Sequence, residues 1–281
     1  MLNTLRSIFC PTGKLRAAIN LGNPILANWD VNQQPIGVSV DLGHDRAKRL
    51  GVPLELLVVT GAAKSVAALN EQQADVGFFA IDPLRGAEIA FTAPYVLIEG
   101  CYLVRQDSPI QNNMQVDAAG NRIAVGTGSA YDLFLSREIK HAQLVREANV
   151  AGVVEAYLDQ NLEVAAGIKQ ALQSKAQTNP KLRLLDGHFM VIEQAMGVPK
   201  KYGAEVADFV NAFVSEMKTS GFVAAAMASH GVTAASLAPG PYKSPSQTQH
   251  NHCKKIPRPQ PKTRHHPSIG SDAGVATDFA H

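Results

Sequence analysis

The apolar and polar positions of this chain follow one pattern that occurs twice. The first copy reads as strand, helix, strand, helix and strand over residues 15–20, 38–50, 54–59, 62–70 and 76–79. The second copy has the same order over residues 122–125, 129–139, 143–146, 151–158 and 163–166. The strand segments are short apolar runs, and the helical segments place their apolar residues on one side. Two βαβαβ units predict two parallel-sheet lobes with right-handed crossovers.

Two further extended segments, 90–104 and 189–196, are placed to cross between the lobes. We expect the chain to leave the first lobe, build the second and return, with helices at 203–218 and 221–230 completing the first lobe. The result is an α/β clamp hinged on two crossing segments, with a ligand between the C-terminal strand edges of both lobes. The predicted boundaries are 12–105 and 190–237 for the first lobe, 106–189 for the second lobe and 238–281 for a disordered tail.

The segment DVGFFAIDPLRGAEIAFTAPY, residues 75–95, combines a buried strand, a loop arginine and a return strand. Asp82 and Pro83 break the strand and begin a turn, and Arg85 follows in the loop. A guanidinium at a sheet edge can bind a planar carboxylate through paired, charge-assisted hydrogen bonds. The alternative is a surface arginine paired with Asp82 or Glu88.

The segment Gly126-Thr127-Gly128-Ser129 comes directly after a strand and begins the first helix of the second lobe. Backbone N–H groups at a helix start, together with the helix dipole, attract a negative group. The segment is not a P-loop, because no Gly-Lys-Ser/Thr follows. It is also consistent with a tight turn in which Ser129 is the N-cap and Asp132 occupies the third helical position, and the two interpretations are compatible.

Three stretches of this sequence resemble the bacterial extracellular solute-binding proteins of family 3. In 75–95 the matching residues are Asp75, Arg85, Phe91, Thr92, Pro94 and Tyr95. The others are PIGVSVDLGHDRAKRL at 35–50 and NRIAVGTGSAY at 121–131, and the resemblance extends over roughly 12–232 in collinear order. It implies a two-lobed fold like that of the type II periplasmic binding proteins.

The resemblance also implies a function, the substrate-binding protein of an ABC-type importer that closes around a small carboxylate, either an amino acid or an organic acid. Its partners would be that ligand and the importer's membrane subunits. We expect a monomer that needs no cofactor or metal and catalyses no reaction. The resemblance makes Arg85 the anchor for the carboxylate. The other ligand-binding candidates are Asn23, Ala80, Glu99, Gly126, Thr127, Gly128, Ser129 and Ala130.

The sequence departs from the family pattern where amino-acid binders hold the ammonium group. The position of their aspartate is Ile168 here, a site that usually offers a small hydroxyl is Ala80, and the loop 21–24 has no aromatic residue. The ligand is therefore an organic acid, or an amino acid held by other groups. Glu99 and Glu193, on the two crossing segments, could supply the missing anion, or could instead pair with lysines or face solvent.

Two other functions fit the same scaffold. One is a dehydratase-like enzyme, in which Glu99 or Glu193 would act as an acid after burial has raised its pKa. The other is a cytosolic ligand-sensing module. The resemblance implies a periplasmic location, but the first residues, MLNTLRSIFC, lack the apolar core of a signal peptide, so we expect a cytoplasmic protein if Met1 is the true start.

Composition and charge agree with a two-lobed protein and argue against nucleic-acid binding and a disulfide framework. The chain has 281 residues, 46% of them hydrophobic, which is enough for two modest cores. Its net charge of +2 combines +4 in residues 238–281 with −2 in the rest, and the near-neutral body has no basic face for nucleic acid. Three cysteines far apart in the sequence do not form a disulfide framework.

The C-terminal segment 238–281 contains seven of the sixteen prolines and five of the nine histidines. Without apolar periodicity it is predicted to be disordered. Its basic, proline-rich part fits either a docking tail or a solvated extension. The spacing of its metal-binding residue types matches no closed zinc site; these residues are His250, His252, Cys253, His265 and His266.

Overall fold

Helices and strands alternate through most of the chain in the computed structural model, which describes residues 2–148, 150–233 and 235–240. The helices are α1 (Leu2–Phe9), α2 (Val38–Leu50), α3 (Ala62–Asn70), α4 (Ala130–Glu138), α5 (Val153–Asp159), α6 (Lys169–Thr178), α7 (Ala204–Thr219) and α8 (Phe222–Ser229). The strands of the first part are β1 (Leu15–Asn20), β2 (Asn28–Trp29), β3 (Pro35–Ile36), β4 (Leu54–Val59), β5 (Val76–Ala80), β6 (Ile89–Phe91) and β7 (Val96–Arg105). Those of the second part are β8 (Arg122–Gly126), β9 (Gln143–Glu147), β10 (Val164–Ile168), β11 (Leu182–Leu184), β12 (Met190–Pro199) and β13 (Ala235–Leu237).

The main sheet joins two parallel groups of strands through a central antiparallel pair. Its order is β4-β1-β5-β12-β7-β10-β8-β9. Strand β1 is parallel to β4 and β5, and β8 is parallel to β9 and β10, so both predicted βαβαβ units are present. The long strands β7 and β12 pair antiparallel between the groups, where two crossing segments were expected. The predicted two-lobed α/β fold is confirmed, while the residue limits of the lobes stay a prediction.

Strand β5 is buried along its whole length because it lies inside the sheet, between β1 and β12. Its apolar sequence, VGFFA, fits a strand covered on both faces. Gly77 is needed there, since a Cβ atom would lie 2.4 Å from the Phe79 ring. The strand ends at Ala80, so the turn that follows brings Arg85 to the C-terminal edge of the sheet.

The structure differs from the predicted boundaries at both ends of the body. Helix α1 precedes residue 12, and Leu5 and Phe9 on one of its sides are buried. Near the other end, β13 pairs with β7, and the Ala238 N–H donates to the Tyr95 carbonyl at 3.1 Å. Ala238 is thus packed against the body at the position where the tail was predicted to begin, and the limits of the tail stay a prediction. The rest of that prediction, over 241–281, lies outside the described residues, as do the five candidate metal-binding residues.

None of the helices in the described ranges has the length and apolar character that crossing a membrane requires.

Candidate ligand-binding site

A cavity lies at the C-terminal edges of the parallel strands, with walls from both groups of the sheet. Its lining includes most of the ligand-binding residues predicted from sequence: Asn23, Ala80, Arg85, Thr127, Ser129 and Ala130. Asn23 follows β1, and Ala80 and Arg85 belong to β5 and its turn, whereas the other three surround the start of α4. The fold therefore brings residues about a hundred positions apart to one cavity, as expected for a site between two such sheets.

The Arg85 side chain joins the two walls of this cavity. It is only 6% exposed. Its Nη1 donates to the Ala80 carbonyl at 3.0 Å, and its Nη2 donates to the Gly128 carbonyl at 2.9 Å. Burial lowers the pKa of Arg85, and the nearby Asp82 charge opposes this effect. A guanidinium has five N–H donors, so donors remain for a ligand after these two hydrogen bonds.

Arg85 does not form an ion pair with Asp82 or Glu88, which was the alternative interpretation of this residue. Asp82 is buried and accepts from Arg137 Nη1 at 2.8 Å. Its other oxygen accepts from the Leu84 N–H at 2.9 Å and so shapes the turn. Among the described residues, no carboxylate lies within ion-pair distance of Arg85. The cation in the cavity wall is thus desolvated but not neutralised.

The loop between β8 and α4 is held in place by Asp132. The Ser129 hydroxyl accepts from the Asp132 N–H at 3.0 Å, so the predicted N-cap is confirmed. The Asp132 carboxylate accepts from the Gly128 N–H at 2.8 Å and from Arg146 Nε at 2.9 Å. Gly128 has a φ of 67°, a left-handed conformation that glycine adopts without strain.

The start of α4 faces the cavity, since Ala130 and Tyr131 both line it. The first N–H groups of a helix have no acceptor within that helix, and they carry the positive end of its dipole. Gly126 and Gly128 are not in the lining, but they position this loop. At Gly126 a Cβ atom would lie 2.7 Å from the Val150 side chain, so a larger residue would displace the loop. The backbone N–H groups of this wall can therefore donate to an anion, while the nearby Asp132 carboxylate is paired with Arg146.

Glu99 is placed outside the cavity, contrary to its prediction as a ligand-binding residue. It lines a separate surface hollow with Lys169 and Gln173. Helix α6 begins directly after β10 and brings the Lys169 ammonium to hydrogen-bonding distance of Glu99, and His188 Nδ1 lies 3.4 Å from the same carboxylate. The hydrogen bond from Lys169 is the main cause of the lowered pKa of Glu99. Glu193, the other acid considered, is likewise absent from the cavity lining.

Gln194 is a cavity residue that sequence reasoning missed. It lies on β12, is 5% exposed and lines the cavity together with Ile192. Strand alternation places these two residues on one face and Glu193 on the other. The alternation alone does not say which of the two faces lines the cavity, because that depends on the pairing of β12 with β5. Asn20 and Ser39 are further polar lining residues that were not predicted.

Arg85 is the one charged residue in the described part of the cavity lining. The remaining polar side chains are neutral, and Ile168 lies where the resemblance implied an aspartate in amino-acid binders. The described residues include no group of three or more His, Cys, Asp or Glu side chains that could hold a metal ion. The arrangement is suited to binding a small anion by charge and hydrogen bonds.

Comparison with solved structures identifies the same fold in several binding proteins. A mutant of ArgBP from T. maritima has a TM-score of 0.68 and 21% identity, covering 82% of this chain and 100% of that one. A solute receptor for L-cysteine of Neisseria gonorrhoeae also has a TM-score of 0.68, with 22% identity over 82% of this chain and 92% of the receptor. An ancestral amino acid-binding protein, a precursor of cyclohexadienyl dehydratase, has a TM-score of 0.66 and 20% identity, covering 80% of this chain and 98% of that one.

Among curated proteins, the cell division protein FtsA of Streptococcus pneumoniae serotype 2 (strain D39 / NCTC 7466) is 28% identical over 149 residues. This match covers 50% of the present chain and 31% of FtsA, so the chain spans less than a third of that relative's length. The family model of the bacterial extracellular solute-binding proteins, family 3, matches residues 15–232, which include both parallel groups and the central strands of the main sheet. The chain therefore belongs to the bacterial extracellular solute-binding proteins of family 3.

Proposed function

We propose that this protein is the substrate-binding component of an ABC-type importer, and that its two lobes close around a small carboxylate. The observation that carries the proposal is the state of Arg85, which is buried in the cavity wall without a carboxylate partner among the described residues. A ligand carboxylate would supply the missing charge through a forked pair of hydrogen bonds. The N–H groups at the start of α4 would contact the same anion from the opposite wall.

The role in transport rests on the family and on what related proteins bind. Solved structures of similar fold include a "putative binding component of ABC transporter" from Wolinella succinogenes DSM 1740 complexed with lysine, which is 20% identical to this chain with a TM-score of 0.65. By analogy, the partners would be the membrane subunits of an importer, and the place of action the periplasm. Export of the native protein would distinguish this role from that of a cytosolic sensing module.

A dehydratase-like activity is the weaker candidate. Such an enzyme needs an acidic group against its substrate, and the described part of the cavity lining contains neither aspartate nor glutamate. The ancestral neighbour joins both functions in one lineage, since it is an amino acid-binding protein and a precursor of a dehydratase. The cavity residues favour binding over proton transfer for this chain.

A thermal-shift screen of the full chain tests the proposal. The panel contains amino acids, hydroxy acids, keto acids and dicarboxylates, because a ligand that binds only the folded clamp raises its melting temperature. We expect a shift from at least one class, and we expect Arg85→Ala to abolish it. The matched control is Arg6→Ala, which removes an exposed arginine on α1, outside the cavity, and should leave the shift unchanged. If no carboxylate shifts the wild type, the proposed function is wrong.

A further inference from the structure

The charges in the cavity lining influence which class of carboxylate can bind there. In the described lining there is one cation, Arg85, and no anion. The start of α4 offers backbone N–H donors at the same place, and the Asp132 carboxylate of its first turn is paired with Arg146. An amino acid brings an ammonium group with its carboxylate, and a buried ammonium needs an anion or several good acceptors. The site therefore suits a net anion better than a zwitterion.

The acidic residues near the cavity already form ion pairs with other cations. Asp82 is held by Arg137, and Asp132 by Arg146 and by the Gly128 N–H. Glu99, on the hinge strand β7, is held by Lys169 outside the cavity. Pairing with these cations weakens the negative potential that the carboxylates could offer to an ammonium group in the cavity.

The carbonyl oxygens beside Arg85 offer little compensation. Those of Ala80 and Gly128 already accept hydrogen bonds from the guanidinium. An ammonium group placed at these oxygens would also lie next to the Arg85 charge. Repulsion between two cations in a desolvated site weakens binding.

Gln194 supplies a neutral group for recognition. Its backbone is fixed by pairing with Ala80 on β5 and Val96 on β7. The residue is only 5% exposed and lines the cavity, and its side-chain amide makes no hydrogen bond to another of the described residues. An amide can donate to a hydroxyl or keto oxygen and can accept from a hydroxyl group. A hydroxyl or keto oxygen of a ligand in the cavity would give this amide a hydrogen-bond partner.

Apolar side chains form much of the remaining wall, including Leu26, Phe78, Phe79, Ile168 and Ile192. They would contact a short hydrocarbon skeleton. We propose that the cavity selects small monocarboxylates whose second polar group is a hydroxyl or keto oxygen, with Gln194 as the residue that recognises this oxygen and Arg85 as the anchor. This inference rests on the proposed function and specifies the ligand class of the same site.

The test is calorimetric titration of the full chain with matched pairs that differ only in the second polar group. Suitable pairs are lactate with alanine, 2-hydroxyisovalerate with valine, and 2-hydroxyisocaproate with leucine. We expect the hydroxy acid of the best pair to bind at least about tenfold more tightly than its amino acid. Equal or tighter binding of the amino acid would overturn the inference.

Two substitutions at Ile168 separate the effect of an added negative charge from the effect of a changed side-chain shape. Ile168 is the N-cap of α6, a position that both Asp and Asn favour, so Ile168→Asp and Ile168→Asn should both fold. The aspartate adds an anion to the cavity wall, and it should shift the preference toward the amino acid by about tenfold or more relative to the asparagine variant. Equal preferences in the two variants would show that the missing anion does not determine the ligand class.

Gln194→Leu tests the recognition of the second oxygen. It should weaken binding of 2-hydroxyisocaproate by about five- to tenfold, and it should leave 4-methylpentanoate, which lacks the hydroxyl group, almost unchanged. A similar loss for both acids would indicate a structural role and contradict the assignment.

The outcomes also distinguish this inference from the proposed function. Amino acids that bind through Arg85 at least as tightly as their hydroxy acids would leave the proposed function standing and refute the inference. The absence of binding by every carboxylate would refute both.

Discussion

A buried charged residue lies beyond each end of strand β5, and the two differ in whether they have an oppositely charged partner. At its N-terminal end, the Asp75 side chain is fully buried and accepts hydrogen bonds from Arg16 Nε at 3.0 Å and from the Arg16 N–H at 2.9 Å. Tyr202 Oη lies 3.1 Å from the same carboxylate. At the C-terminal end, Arg85 is nearly as buried but has only carbonyl partners among the described residues.

We propose that this difference separates a structural charge, Asp75, from a ligand-binding charge, Arg85. Removing one partner of a buried ion pair destabilises the fold, because it leaves the other charge uncompensated. A buried ion without its counterion is a candidate site for a ligand of opposite charge. Glu99 is a third case, because it is partly exposed and paired with Lys169. We expect Glu99 to contribute little to stability or to ligand binding.

The largest expected effect is that of Asp75→Ala on stability. It leaves Arg16 without its carboxylate partner, and the free energy of unfolding should fall by about 3 kcal/mol. Urea denaturation of the ligand-free protein measures this change. Ligand affinity of the folded variant should stay within about twofold of wild type. A loss of ligand affinity with unchanged stability would contradict this assignment, because it would make Asp75 the ligand-binding charge.

The next effect is that of Arg85→Ala on binding. Loss of one side of a forked, desolvated charge pair should weaken carboxylate binding by about 30-fold, or about 2 kcal/mol. Arg85→Lys keeps the charge without the fork and should give an intermediate affinity. Calorimetric titration measures both variants, and wild-type affinity in Arg85→Ala would show that the anchor lies elsewhere.

Glu99→Gln should have a small effect on stability and none on binding. The lowered pKa of Glu99, caused mainly by Lys169, means that its contribution to stability is present above the ordinary value of 4.5 and is lost as the pH falls through the folded-state pKa. Because the group is 38% exposed, solvent screening keeps this contribution below about 0.5 kcal/mol. Unfolding midpoints of wild type and variant should therefore differ slightly at pH 6 and converge as the pH falls below the lowered pKa of Glu99. A large loss of ligand affinity in the variant would place Glu99 in the binding site after all.

The sequence predicted the repeated units of the fold well because their signals are local. Apolar runs such as that of β5 and turn residues such as Pro83 depend only on neighbouring positions. Helix α1 and strand β13 were not predicted. The apolar residues of α1 are few and interrupted, and β13 has three residues that pair with β7, more than a hundred positions earlier.

The candidate site was predictable in part for the same reason. Arg85 and the loop at 126–130 carry recognisable local patterns. The environment of Glu99 depends on Lys169, which is 70 residues away, so its ion pair could not be read from its neighbours. Gln194 becomes recognisable only when the register of β12 against β5 is known, since that register decides which side chains face the cavity.

The crystal structure of a complex with the tightest-binding carboxylate tests the central claim most directly. The account predicts that both oxygens of the ligand carboxylate lie about 3 Å from nitrogen atoms of the Arg85 guanidinium, within reach of the N–H groups at the start of α4. A carboxylate bound away from Arg85, or a ligand seated at another surface, would contradict it.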